Sequence, residues 1–123
     1  MIEWKPIAKE TLLGRIAQGE ARMTAAQRQL WQAMRIEPEK WQQHPFGDPG
    51  EGFWVVAIIG RSVIWYNDRE EGFNRSQYSV HGTFDDYWCN DDELELTVQY
   101  LMNAMTQGTD LVGLRSRPAR VPR

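Results

Sequence analysis

The spacing of apolar positions changes along the chain, and each change marks an element. After Pro6, a residue suited to a first helical turn, the positions Leu12, Leu13, Ile16, Ala17 and Met23 recur at helical intervals, predicting a helix over residues 7–21. Gly14 and Gly19 weaken this helix by about 1 kcal/mol each. Thr24-Ala25-Ala26-Gln27 matches a capping box, in which the Thr hydroxyl and the Gln side chain each bond the other's backbone. It opens a second helix running to about Arg35, with Ala26, Leu30 and Met34 on one face and Trp31 beside them. Pro38 pushes Glu37 out of the helical region, so the helix stops before it. Residues 39–44 are expected to add one short turn with Trp41 folded onto the core, and the two Pro and two Gly in 44–50 make that stretch a loop.

The next stretch, GFWVVAIIGRSVIWYN over residues 52–67, is apolar without alternation. Its aromatic and β-branched runs have strand length. Gly60-Arg61 between them suits a two-residue type II′ turn, whose first central position takes a positive φ. That turn pairs Ile58 with Val63, Ala57 with Ile64 and Val56 with Trp65. Trp54, Val56, Ile58, Val63 and Trp65 then share one face, and Phe53, Val55, Ala57, Ile59, Ile64 and Tyr66 share the other. A half-exposed strand would alternate apolar with polar, so both faces of this hairpin need a cover. One cover is helical. The other is a helix, a loop or a second chain.

Past a polar turn at 67–72, Tyr78, Val80 and Phe84 alternate with polar residues, predicting a third, edge strand over 76–84 that pairs antiparallel with 63–66. Asp85 to Trp88 then form an extension or a turn. Asn90 reads as the N-cap of a last helix, with Glu93 at its third position and Asp91, Asp92 and Glu93 complementing the helix dipole. Leu94, Val98, Leu101, Met102 and Met105 give that helix an apolar face, and Gly108 ends it near residue 107. The expected fold is α+β: a three- to four-stranded antiparallel meander with helices packed on one face, in the order α-α-β-β-β-α. Residues 1–108 form one domain, and the Arg- and Pro-rich residues 109–123 form a disordered tail.

The single cysteine, Cys89, rules out an internal disulfide framework. The opening MIEWKPIAKE lacks an apolar signal core, and no stretch approaches the ~20 apolar residues of a membrane span. The expectation is a cytoplasmic protein with no membrane partner.

Charge adds more than composition does. The net charge is −3, yet residues 51–110 hold eleven acidic residues against Arg61, Arg69 and Arg75. Such an acidic middle repels nucleic acid and favours a basic protein partner. A solvated face that maintains solubility is the plainer reading. The four arginines of the tail (Arg115, Arg117, Arg120, Arg123) lack interleaved aromatics and read as loose.

Candidate chemistry is sparse. Asn67, Asp68, Glu70 and Glu71, with Asp85 and Asp86 near them across the sheet end, offer oxygen ligands for Ca²⁺ or Mg²⁺, or a carboxylate pair for acid–base work. Their spacing is not that of an EF-hand, and a polar turn bonding its own backbone explains them. Cys89 precedes a helix start, but three acidic neighbours oppose a thiolate, so a buried inert thiol is expected. His44 and His81 have no zinc spacing with that cysteine. There is no G-x-S-x-G, G-x-G-x-x-G or P-loop run. No catalytic residue, metal site or cofactor is expected.

Trp65-Tyr66-Asn67-Asp68, Glu71-Gly72-Phe73-Asn74, Gly82, Tyr87-Trp88-Cys89-Asn90 and Leu94 together resemble a motif of small uncharacterised bacterial proteins, W-Y-N-D-x-x-E-G-F-N, over about residues 30–101. That resemblance implies no activity. The small size, acidic surface and Trp-rich sheet are also loosely similar to those of bacterial toxin-immunity proteins.

The function expected is a non-catalytic binding domain that docks a basic partner, such as a toxin it neutralises. The expected contact set is Asn67, Asp68, Glu70, Glu71, Phe73, Asn74, Asp85, Asp86 and Trp88, with Trp65 and Tyr66 as further aromatic anchors. The alternatives are a small enzyme or divalent-metal protein using Asp68, Glu70, Glu71, Asp85 and Asp86, assisted by Asn67, Asn74 or His81, and a homodimer that covers the doubly apolar hairpin.

Overall fold

The computed structural model describes residues 6–43 and 52–107. The expected loop at 44–50, the Gly108 stop and the tail at 109–123 lie outside the described residues. Two helices come first, α1 (Lys9–Arg22) and α2 (Ala25–Met34). Four strands follow, β1 (Arg35–Trp41), β2 (Phe53–Ile59), β3 (Ser62–Asn67) and β4 (Gly72–Gln77), and α3 (Leu94–Gln107) closes the order. The sheet is a fully antiparallel meander, β1-β2-β3-β4. The α+β meander expected from the sequence is present, with one strand more than the order predicted.

The extra strand is β1, where the sequence suggested a helix end and a turn. The capping box starts α2 as expected: Gln27 N–H donates to Thr24 Oγ1 at 3.1 Å, and Thr24 N–H donates to Gln27 Oε1 at 2.9 Å. Pro38 then does more than stop the helix. Pre-proline Glu37 favours extended backbone, and a residue without an N–H is tolerated on an edge strand. The chain therefore passes straight from Met34 into β1, whose pairing with β2 is interrupted between Arg35 and Glu39. The buried face of α2 is Gln27, Trp31 and Met34 rather than Ala26, Leu30 and Met34, because Trp31 brings far more apolar area to the core.

The hairpin forms around Gly60 at φ 56°, and Ile58 pairs with Val63 and Ala57 with Ile64, as expected. Beyond Ala57 the expectation fails. Val55, not Val56, pairs with Trp65, and Trp54 pairs with Tyr66, so Val56 is the extra residue of a β-bulge. A one-residue slip exchanges the faces of everything beyond it. Phe53 and Val55 thus join Val63, Trp65 and Ile58 on one side, while Trp54, Val56, Ala57 and Ile59 join Ile64 and Tyr66 on the other.

All three helices pack on the Val56–Tyr66 side, through Leu12, Ile16, Trp31, Met34, Leu94, Val98 and Leu101. The opposite side is covered by the chain's own irregular segment after β4. Tyr78, Phe84, Tyr87, Trp88 and Cys89 pack there on Trp41, Phe53, Val55 and Trp65. The Trp65 and Phe84 rings stack with centroids 4.5 Å apart. The apolar hairpin is therefore sealed on both faces within one chain, and the reason for invoking a second copy falls away.

The third predicted strand is displaced. β4 begins at Gly72, and 78–92 is mostly irregular, with Val80 exposed. β4 read as polar in sequence, yet Phe73, Asn74, Arg75 and Ser76 are all buried. Helix α3 starts at Leu94 rather than after Asn90. Residues 90–92 are instead extended along β4, with Phe73 N–H donating to Asp92 O at 2.8 Å. Among the described residues no helix is long and apolar enough to cross a membrane.

Candidate functional site

Two glycines bring three parts of the chain together at one end of the sheet. A Cβ on Gly19 would lie 2.8 Å from Leu94 Cβ, so this glycine sets how closely α1 approaches the start of α3. A Cβ on Gly72 would lie 2.1 Å from Asp91 Cα, so only glycine lets residues 90–91 cross the start of β4. Between α1, the β3–β4 turn and the 91–93 segment lies an open cleft of about 320 Å³. Arg15, Gln18 and Arg22 of α1 form one wall, Asp91, Asp92 and Glu93 another, and Glu71 the turn side, over Tyr66, Phe73 and Leu94. A smaller recess of about 260 Å³ adjoins it on the far side of Arg15 and Glu71, lined also by Ile7, Asp68 and Arg69.

The turn itself is tightly specified. Asn67 is wholly buried. Its Nδ2 donates to the Tyr87 hydroxyl at 2.9 Å and to Trp88 O at 3.0 Å, and its Oδ1 accepts the Arg69 N–H at 3.1 Å. Glu71 takes φ 56°, a left-handed conformation unusual for a side-chain-bearing residue, and its carboxylate lies 3.7 Å from Arg15. Asp68 Oδ2 accepts the Ile7 N–H at 2.7 Å, while the Trp54 indole donates to Ile7 O at 3.2 Å. These bonds tie the residues before α1 to the sheet end.

Tyr66 stands between the two recesses and is only 2 % exposed. Its hydroxyl is closed off from solvent and interacts with the Arg15 side chain. The Arg15 guanidinium lies over its ring, 5.7 Å from the centroid. Burial pushes the phenol above its usual pKa, outweighing the opposing pull of Arg15, so it stays protonated at neutral pH. Arg22 is engaged elsewhere, 2.7 Å from Glu93 and 2.6 Å from Glu95. Burial raises the Glu95 carboxyl, but the Arg22 hydrogen bond and charge turn the net shift downward.

The residues expected to form a contact set are distributed differently. Asn67, Phe73, Asn74, Asp86 and Trp88 are buried and serve internal packing or hydrogen bonding. Asp86 Oδ1 accepts the Gln77 N–H at 3.2 Å, and its Oδ2 accepts the Trp88 indole N–H at 2.9 Å. Asp85 accepts from Ser79 Oγ at 2.9 Å. Asp85 and Asp86 sit beside Gln77, at the opposite end of β4 from the turn. At ~3.3 Å per residue the two acidic groups are separated by roughly the whole strand, ~17 Å, and do not converge. Asp68, Glu70 and Glu71 remain at the turn, where Glu70 and Glu71 are exposed. His81 pairs with Glu39 at 2.9 Å, on the β1 side of the molecule. Among the described residues no group of three or more His, Cys, Asp or Glu is arranged to hold a metal ion.

Sequence reasoning missed Arg15, Gln18 and Arg22. Their signal was present as a polar stripe at i, i+3 and i+7 beside the apolar Leu12 and Ile16. It also assigned Asp91, Asp92 and Glu93 to a helix dipole, whereas they form the cleft wall opposite that stripe. Comparison of the chain with family models, with curated proteins and with solved structures finds no match.

Proposed function

We propose that this chain is a non-catalytic binding domain whose acidic face docks a basic protein partner, in the manner of an immunity protein neutralising a toxin. One observation carries the reading. Carboxylates from two separate segments, Glu71 on the turn and Asp91, Asp92 and Glu93 on the opposite wall, meet around one open cleft, with Glu70 exposed beside it. Arg15 and Arg22 answer Glu71 and Glu93 from within the chain, and the remaining acidic charge at the rim steers a basic partner toward the site. A single cysteine fits a reducing compartment such as the cytoplasm.

The test is capture from lysate of the source cell at low and high salt, comparing the wild type with Glu70→Lys/Asp91→Lys. Both positions are exposed, and neither side chain holds the fold together. The reading expects a discrete basic protein retained by the wild type, released by salt and lost in the variant. Equal capture by both chains removes the proposed face.

A further inference from the structure

No further inference is drawn: the strongest candidate, the open cleft between α1, the β3–β4 turn and residues 91–93, belongs to the site already described, and beyond its acidic cluster nothing among the described residues shows what ligand it would hold.

Discussion

The Asn74 side chain pairs with the backbone of Asn90 in both directions: Asn90 N–H donates to Asn74 Oδ1 at 2.9 Å, and Asn74 Nδ2 donates to Asn90 O at 3.0 Å. A side-chain amide thus imitates a strand residue at the outer edge of β4. Two residues away, Phe73 and Asp92 make a true backbone bridge. An edge strand with open N–H and C=O groups invites pairing with other chains, and here the chain's own 84–92 segment occupies that edge.

Asn74→Ala removes both bonds at a site only 1 % exposed and leaves the Asn90 amide groups without those partners. The expected loss is about 1–3 kcal/mol, the worth of two part-buried hydrogen bonds. Because the same clamp holds the wall bearing Asp91, the amides of residues 90–93 are expected to exchange with solvent faster than those of β2. Urea denaturation and hydrogen exchange check both statements. A cost under 0.5 kcal/mol would show that the wall is held by its other contacts.

The two glycines of α1 make an opposed pair. In an exposed helix Gly→Ala stabilises by about 1 kcal/mol. A Cβ on Gly14 meets nothing within 4 Å, so Gly14→Ala is expected to gain about 0.5–1 kcal/mol. A Cβ on Gly19 meets Leu94 Cβ at 2.8 Å, so Gly19→Ala is expected to lose about 1–3 kcal/mol through overpacking and to widen the cleft. Thermal melts of the two single variants, side by side, decide this. Shifts of the same sign would contradict the close approach of α1 to α3.

That contrast also shows what the sequence could reveal. Both glycines read as mild helix weakeners, because periodicity reports one element at a time and is silent about its neighbour. The capping box at Thr24 and the turn at Gly60 were legible because their chemistry is local. The bulge at Val56 was not, because FWVVAII is apolar at every position and an inserted residue disturbs no alternation. β4 was missed for the converse reason. Asn74 and Ser76 look solvent-facing until the 84–90 segment supplies partners from ten or more residues away. The site was half legible: the acidic turn was visible, but its convergence with 91–93 and its separation from Asp85–Asp86 are tertiary facts.

Ser76 carries one of those long-range bonds. It accepts the Trp65 indole N–H at 2.9 Å and donates to Asp86 O at 2.7 Å. Ser76→Ala strips the partner from a fully buried indole, and a loss of about 1–3 kcal/mol is expected. Ser79→Ala, which removes only an exposed bond to Asp85, is expected to stay within about 0.5 kcal/mol of the wild type. Denaturation followed by tryptophan fluorescence measures both. Equal stability of the two variants would mean that the indole finds another acceptor.

Burial pushes the Tyr66 and Tyr87 phenols above their usual pKa, in Tyr87 against the opposing hydrogen bond from Asn67. Each therefore holds its proton more tightly in the folded chain than in the unfolded one. The stability this contributes is fully present below the unfolded value of about 10 and is lost as pH rises through the folded value. The melting temperature is expected to fall above pH ~10, together with a delayed rise in tyrosinate absorbance as the chain unfolds. Tyr66→Phe is the informative variant. It removes an ionisable group whose hydroxyl has only a minor hydrogen-bonding contact with Arg15, so the alkaline limb is expected to flatten with little change near neutral pH. An unfolding curve whose pH dependence is the same with and without that hydroxyl would mean that Tyr66 is not buried in the folded chain.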